Sequence, residues 1–156
     1  MKEAQKNGRG DMFKWKITAS AKAQARPSDV WEIWTDVAAW PKWDHELEWS
    51  SLNGPFKVGT EGKLKPKGWP ESKFCLISVE EGKAHSDKTQ MPFTSIVFNH
   101  TMAPCENSQV KIMHTVEVSG LLAPLLWLTM RFALKKGLPK AVEKLAKMAE
   151  ARAQTR

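Results

Sequence analysis

The chain is 156 residues long, 42% hydrophobic and 26% charged, which is ordinary usage for one globular domain with a real core. Its two cysteines, Cys75 and Cys105, stand without a CxxC or a Cys/His cluster, so neither a disulfide scaffold nor a cysteine zinc site is expected. The net charge is +7 and sits at the two ends, +5 over residues 1–26 and +6 over 121–156, against −4 over 27–59. No recognised nucleic-acid motif accompanies that charge, so nucleic acid is not expected as a partner. The basic ends read either as a solvated helix face plus an arm, or as attraction to an anionic membrane or an acidic ligand. The longest apolar stretch, Leu121 to Leu134, is interrupted by Pro124 and Arg131 and is too short for a membrane span. Residues 1–12 carry no apolar signal core, so a cytoplasmic location is expected.

Residues 1–11 are polar and read as a disordered arm. Phe13 to Ala23 alternates, with Phe13, Trp15, Ile17 and Ala19 on one face, and predicts a half-buried strand. Pro27-Ser28-Asp29 suits a helix N-terminus. Val30, Trp31, Ile33, Trp34 and Val37 follow at helical spacing. Trp40-Pro41 breaks that helix, because the residue before a proline resists the α region. A second short turn is expected to carry Trp43-Asp44.

Six strands are predicted next: Glu46 to Leu52, Thr60 to Lys65, Lys73 to Glu81, a weak one over Lys83 to Thr89, Thr94 to Met102, and Gln109 to Ser119. Turn signals separate them, notably Asn53-Gly54-Pro55 and Glu81-Gly82-Lys83, and together they argue an antiparallel meander. Ile96, Phe98 and His100 share a face, as do Val110, Ile112, His114, Val116 and Val118. Cys75, inside an apolar run, reads as a small core residue. From Pro124 the pattern is helical to the end. Its first half is apolar nearly all round, which implies burial on most sides; its second half is amphipathic with lysines outward. Pro139 within it predicts a kink near residues 135–139.

Several segments carry a resemblance: Val30 to Asp36, Trp40-Pro41-Lys42-Trp43-Asp44, Leu52 to Thr60, Phe98-Asn99-His100, and Thr115 to Gly120. Together they resemble the helix-grip, START-like (SRPBCC) superfamily, in its polyketide cyclase/dehydrase-like branch, over residues 13–150. The resemblance implies an α+β fold: a seven-stranded curved antiparallel sheet wrapped around a long C-terminal helix, with two short helices between strands 1 and 2 and a cavity inside. It also implies one ligand-binding domain over residues 12–153. Members of the superfamily include lipid and sterol carriers, hormone receptors, co-chaperones and aromatase/cyclases, so the fold alone does not fix activity.

Within such a cavity the expected ligand-binding residues are Trp34, Trp40, Trp43, Trp49, Phe74, Phe98, His100, His114, Leu126, Met130, Leu134 and Leu138. The tryptophans read as core packing or as an aromatic pocket wall, with Trp40 and Trp43 at the mouth, Trp31 in the core and Leu126 to Leu138 as a lid. His100 and His114 read as hydrogen-bonded core histidines or as the polar points that orient a ligand. They are the only catalytic candidates, as acid and base. Two histidines without a third ligand at a recognisable spacing do not predict a metal site. No phosphate loop, dinucleotide fingerprint or activated nucleophile is present, and no cofactor is expected. The chain has no tyrosine, so a mechanism relying on a pocket tyrosine is excluded. The expected function is binding of a small hydrophobic ligand, lipid-like or aromatic. The alternatives are a cyclase/dehydratase-like enzyme using the same cavity, and a module that touches a partner or a membrane surface through the basic helix.

Overall fold

The computed structural model describes residues 13–156; the arm expected over residues 1–11 lies outside them. Seven strands follow one another: β1 (Lys14–Ala23), β2 (Leu47–Leu52), β3 (Glu61–Pro66), β4 (Ser72–Glu80), β5 (Ala84–Met91), β6 (Thr94–Cys105) and β7 (Gln109–Gly120). Between β1 and β2 stand helix α1 (Pro27–Thr35) and a 3₁₀ turn (Val37–Lys42), and the long helix α2 (Ala123–Gln154) closes the chain. The strands form one antiparallel sheet in the order β1-β7-β6-β5-β4-β3-β2, so only β1 leaves sequence order, to pair with β7. This is the helix-grip architecture.

Local chemistry sets the joints. The backbone N–H of Arg26 donates to Asp29 at 2.9 Å, and Pro27 occupies the first turn, where its missing N–H costs nothing. Ala39 N–H donates to the Asp36 carbonyl and Asp44 N–H to that of Trp40, so the chain turns sharply around Pro41 before β2. Gly120, at φ +123°, lies so close to the Phe93 carbonyl that a Cβ would collide with it; only glycine permits the crossing from β7 into α2.

Helix α2 is fastened at both ends. Trp15 Nε1 donates to the Ala123 carbonyl at 2.6 Å, and Leu122 N–H donates to Thr94 Oγ1 at 2.9 Å. At the other end Arg152 pairs with Glu32 at 2.8 Å and Arg156 with the buried Asp29 at 2.9 Å. Pro139 sits inside the helix without ending it. Two apolar clusters result. The larger joins α1 and the 3₁₀ turn to the sheet and to Ala141, Val142, Leu145 and Ala149 of α2. The smaller joins Ile96, Val116 and Val118 to Ala123 and Leu126.

The first half of α2 is not covered on most sides, as its composition suggests. Leu125, Leu128 and Phe132 are 57%, 61% and 68% exposed. A single helix laid over one face of one sheet has only one side to bury. Met130, Leu134 and Leu138 take that side. No helix among the described residues is long and apolar enough to cross a membrane, and both cysteines are free and half-buried.

Candidate functional site

Strands β5, β6 and β7 are neighbours, and their register sets three histidines in one row. His85 stands opposite His100, and His100 opposite His114. Directly opposed residues share a face of the sheet, and here it is the face under α1 and the 3₁₀ turn. All three are buried, at 1%, 6% and 3% exposure. The rings of His85 and His100 stack 4.1 Å apart within 11°, and His114 meets His100 edge-on at 4.4 Å. Asp87, two residues along β5 from His85, is buried on the same face.

Tryptophans roof this row. Trp34 Nε1 donates to His114 Nε2 at 3.3 Å, which leaves the proton of a neutral His114 on Nδ1. Trp40 donates to the Trp34 carbonyl at 2.9 Å and lies over Phe74 and His85. Trp43 packs edge-on against His114.

Burial decides the charge state of the row. It pushes His100 down to about 3 and Asp87 up to about 8. His85 and His114 are held well below the usual histidine range, first by burial and then by the neighbouring rings. Asp87 Oδ2 lies 3.9 Å from His100 Nδ1, a separation that would suit an ion pair. Neither group gains enough from the other to offset desolvation, so both are neutral at pH 7.

Between the row and α2 lies a cavity of about 160 Å³. Asp87, Phe98, His100, His114 and Val116 form its floor. Trp40, Trp43, Leu47 and Leu64 make one wall, and Met130, Leu134, Leu138 and Ala141 of α2 make the opposite one. Lys67, Trp69, Thr129 and Ala133 line it too but face solvent, so they are the rim through which it opens.

Of the residues expected from sequence, Trp40, Trp43, Phe98, His100, His114, Met130, Leu134 and Leu138 line this cavity. Trp40 and Trp43 are buried in its wall rather than at its mouth, because both indoles are packed among aromatic rings. Trp34 is fully buried behind the histidines, Phe74 packs under Trp40, and Leu126 belongs to the smaller apolar cluster. Trp49 is 39% exposed on β2, away from the cavity.

The family model described as polyketide cyclase/dehydrase and lipid transport matches residues 14–150. The chain belongs to that family. Solved structures of the same fold include a truncated norcoclaurine synthase from Thalictrum flavum, 14% identical with a TM-score of 0.66 over 86% of this chain and 92% of that one. A hypothetical protein from Helicobacter pylori is 14% identical, with a TM-score of 0.73 over 92% and 91%. The di-domain ARO/CYC StfQ of the steffimycin biosynthetic pathway is 12% identical, with a TM-score of 0.72 over 91% of this chain and 52% of that one. At these identities the likeness is one of fold. No curated protein is significantly similar in sequence.

Two residues of the site, His85 and Asp87, escape the sequence reading. Strand β5 alternates His85, Asp87 and Thr89 with residues that are also mostly polar, so it offers no hydrophobic contrast. The signal that finds them is register. Counting back equally from the turn between Met91 and Thr94 sets His85 against His100.

Proposed function

We propose that this member of the polyketide cyclase/dehydrase and lipid transport family binds a small, mainly apolar molecule that ends in a compact oxygen-bearing group. The observation that carries this is the combination of apolar walls with a buried polar floor. Trp43 Nε1, Asp87 Oδ2 and His100 Nδ1 are buried without a hydrogen-bond partner among the described residues, and all three residues line the cavity. A pure hydrocarbon would leave each at a cost of about 1–3 kcal/mol, whereas a carbonyl or hydroxyl meets them. Size limits the enclosed part. A cavity of about 150 Å³ takes a benzene-sized guest, so 160 Å³ suits one ring, and a longer molecule would extend past Lys67 and Trp69.

Replacing Leu134 by Trp fills the α2 wall. It is expected to weaken uptake of an apolar fluorescent probe at least tenfold, about 1.4 kcal/mol, while Leu128→Trp on the exposed face leaves uptake unchanged. Native mass spectrometry of both variants checks that the fold and any co-purified ligand follow the same order. Equal binding by Leu134→Trp and the unaltered protein would sink the reading.

A second reading, a cyclase- or dehydratase-like enzyme, is favoured by one feature. Asp87 and His100 are neutral together at pH 7, so one offers a proton and the other a lone pair to the same cavity. Turnover of a poly-β-keto substrate that falls at least a hundredfold in Asp87→Asn and in His100→Ala, with probe uptake retained, is the expected result of that reading. Turnover that survives either change excludes it.

A further inference from the structure

We propose that His85, Asp87 and His100 bind one divalent first-row transition-metal ion at the cavity floor. Two adjacent strands build the site. His85 and Asp87 share a face of β5, and His100 of β6 stands directly opposite His85. One ligand atom from each residue brings three donors within 4.8 Å of one another.

A second observation points to a guest. His85 Nδ1, His85 Nε2, Asp87 Oδ2 and His100 Nδ1 are all buried with no partner among the described residues. Buried polar atoms are nearly always paired, and four orphans in one place ask for something that satisfies several at once. His114 is different: its Nε2 already accepts the hydrogen bond of Trp34 Nε1–H, so it stands beside the site and not in it.

The donor set selects the ion. Two imidazoles and a carboxylate suit zinc or iron(II), whereas magnesium and calcium take oxygen ligands. Burial favours neutral imidazoles, the form that ligates, and Asp87, protonated in the metal-free fold, releases its proton to solvent as the ion takes the carboxylate. Donors about 2.1 Å from one centre lie at most about 4.2 Å apart, so the cluster must draw in slightly. The stacked rings of His85 and His100 keep their lone pairs in two nearly parallel planes; closing on an ion tilts one imidazole out of that stack. Asp87 and His100 also line the cavity, so the coordination positions left open face it and would take an oxygen of a bound molecule. The ion needs no apolar ligand, so this site stands or falls apart from the uptake of an apolar probe.

The test uses the full chain, stripped with a chelator and titrated with Co²⁺ and then Zn²⁺. Visible absorption of bound Co²⁺ and metal content after desalting are the readouts. The expected result is one equivalent per chain, displaced by Zn²⁺. His85→Ala and Asp87→Asn should each weaken binding at least tenfold, and His45→Ala, a change at an exposed residue, should not. Asp87→Asn keeps the shape of the side chain, and its circular dichroism without metal confirms the fold. Saturating Zn²⁺ should also raise the melting temperature of the unaltered protein and not that of Asp87→Asn. Absent or substoichiometric binding, or binding unchanged in Asp87→Asn, overturns the proposal and leaves the cluster as a hydrogen-bonding floor.

Discussion

Trp34→Ala is expected to destabilise the fold by about 3–5 kcal/mol, a large fraction of the about 5–15 kcal/mol that holds a domain folded. The indole is fully buried and sits where α1 meets the sheet. It contacts all three histidine rings, at 5.1 Å from His85 and 5.9 Å from both His100 and His114, and Trp31 at 6.2 Å. Its removal empties the space between helix and strands, and the neighbours belong to a continuous sheet that cannot collapse into it. It also strips His114 Nε2 of its donor, leaving a buried acceptor unpaired. Trp34→Phe separates the two losses. It keeps most of the ring and removes the N–H, and should cost about 1–3 kcal/mol. Urea denaturation with the slope unchanged between variants measures both. A shift below about 1.5 kcal/mol for Trp34→Ala would mean that the site collapses readily, and the view of Trp34 as a rigid roof would be wrong.

How far the sequence could be read follows the contrast each segment offers. Strands β6 and β7 carry apolar residues at every second position over much of their length, Ile96, Phe98 and Met102 in one and Val110, Ile112, Val116 and Val118 in the other, so their inward faces, His100 and His114 included, are legible from period alone. Strand β5 carries polar residues on both faces, and its two site residues are silent until it is paired with β6. Trp49 shows another limit. In strict alternation it shares a face with Leu47, yet a register shift against β3 falls between these two residues. Leu47 and Ser50 point inward while Trp49 is turned out. A bulge adds one residue and inverts everything beyond it, and nothing in the local sequence marks it. The closure of the sheet around α2 is not periodic information either; only the family resemblance carries it.

The stability of the metal-free protein is expected to peak between about pH 6 and 7 and to fall on both sides, for opposite reasons. Asp87 is held at about 8 in the fold against an ordinary 3.8. Between those values the folded chain keeps a proton that the unfolded chain has released, so this group makes stability fall as pH rises from 4 to 8. His100 is held at about 3 against 6.5, so the unfolded chain binds a proton that the folded chain refuses, and stability is lost as pH falls through that window. His85 and His114 act in the same sense as His100. Each net proton is worth about 1.4 kcal/mol per pH unit. Below pH 6 the histidines together outweigh the one carboxyl, and the acid limb should be the steeper of the two. Above about pH 7 Asp87 outweighs the residual titration of the unfolded histidines, and the limb is gentle. Asp87→Asn removes that alkaline limb. The variant should be more stable than the unaltered protein at pH 8 and lose the advantage towards pH 4. Denaturant midpoints across pH 4–8 in the presence of chelator decide it. An unaltered alkaline limb in Asp87→Asn would show that Asp87 is ionised in the fold, paired with a charge among the histidines.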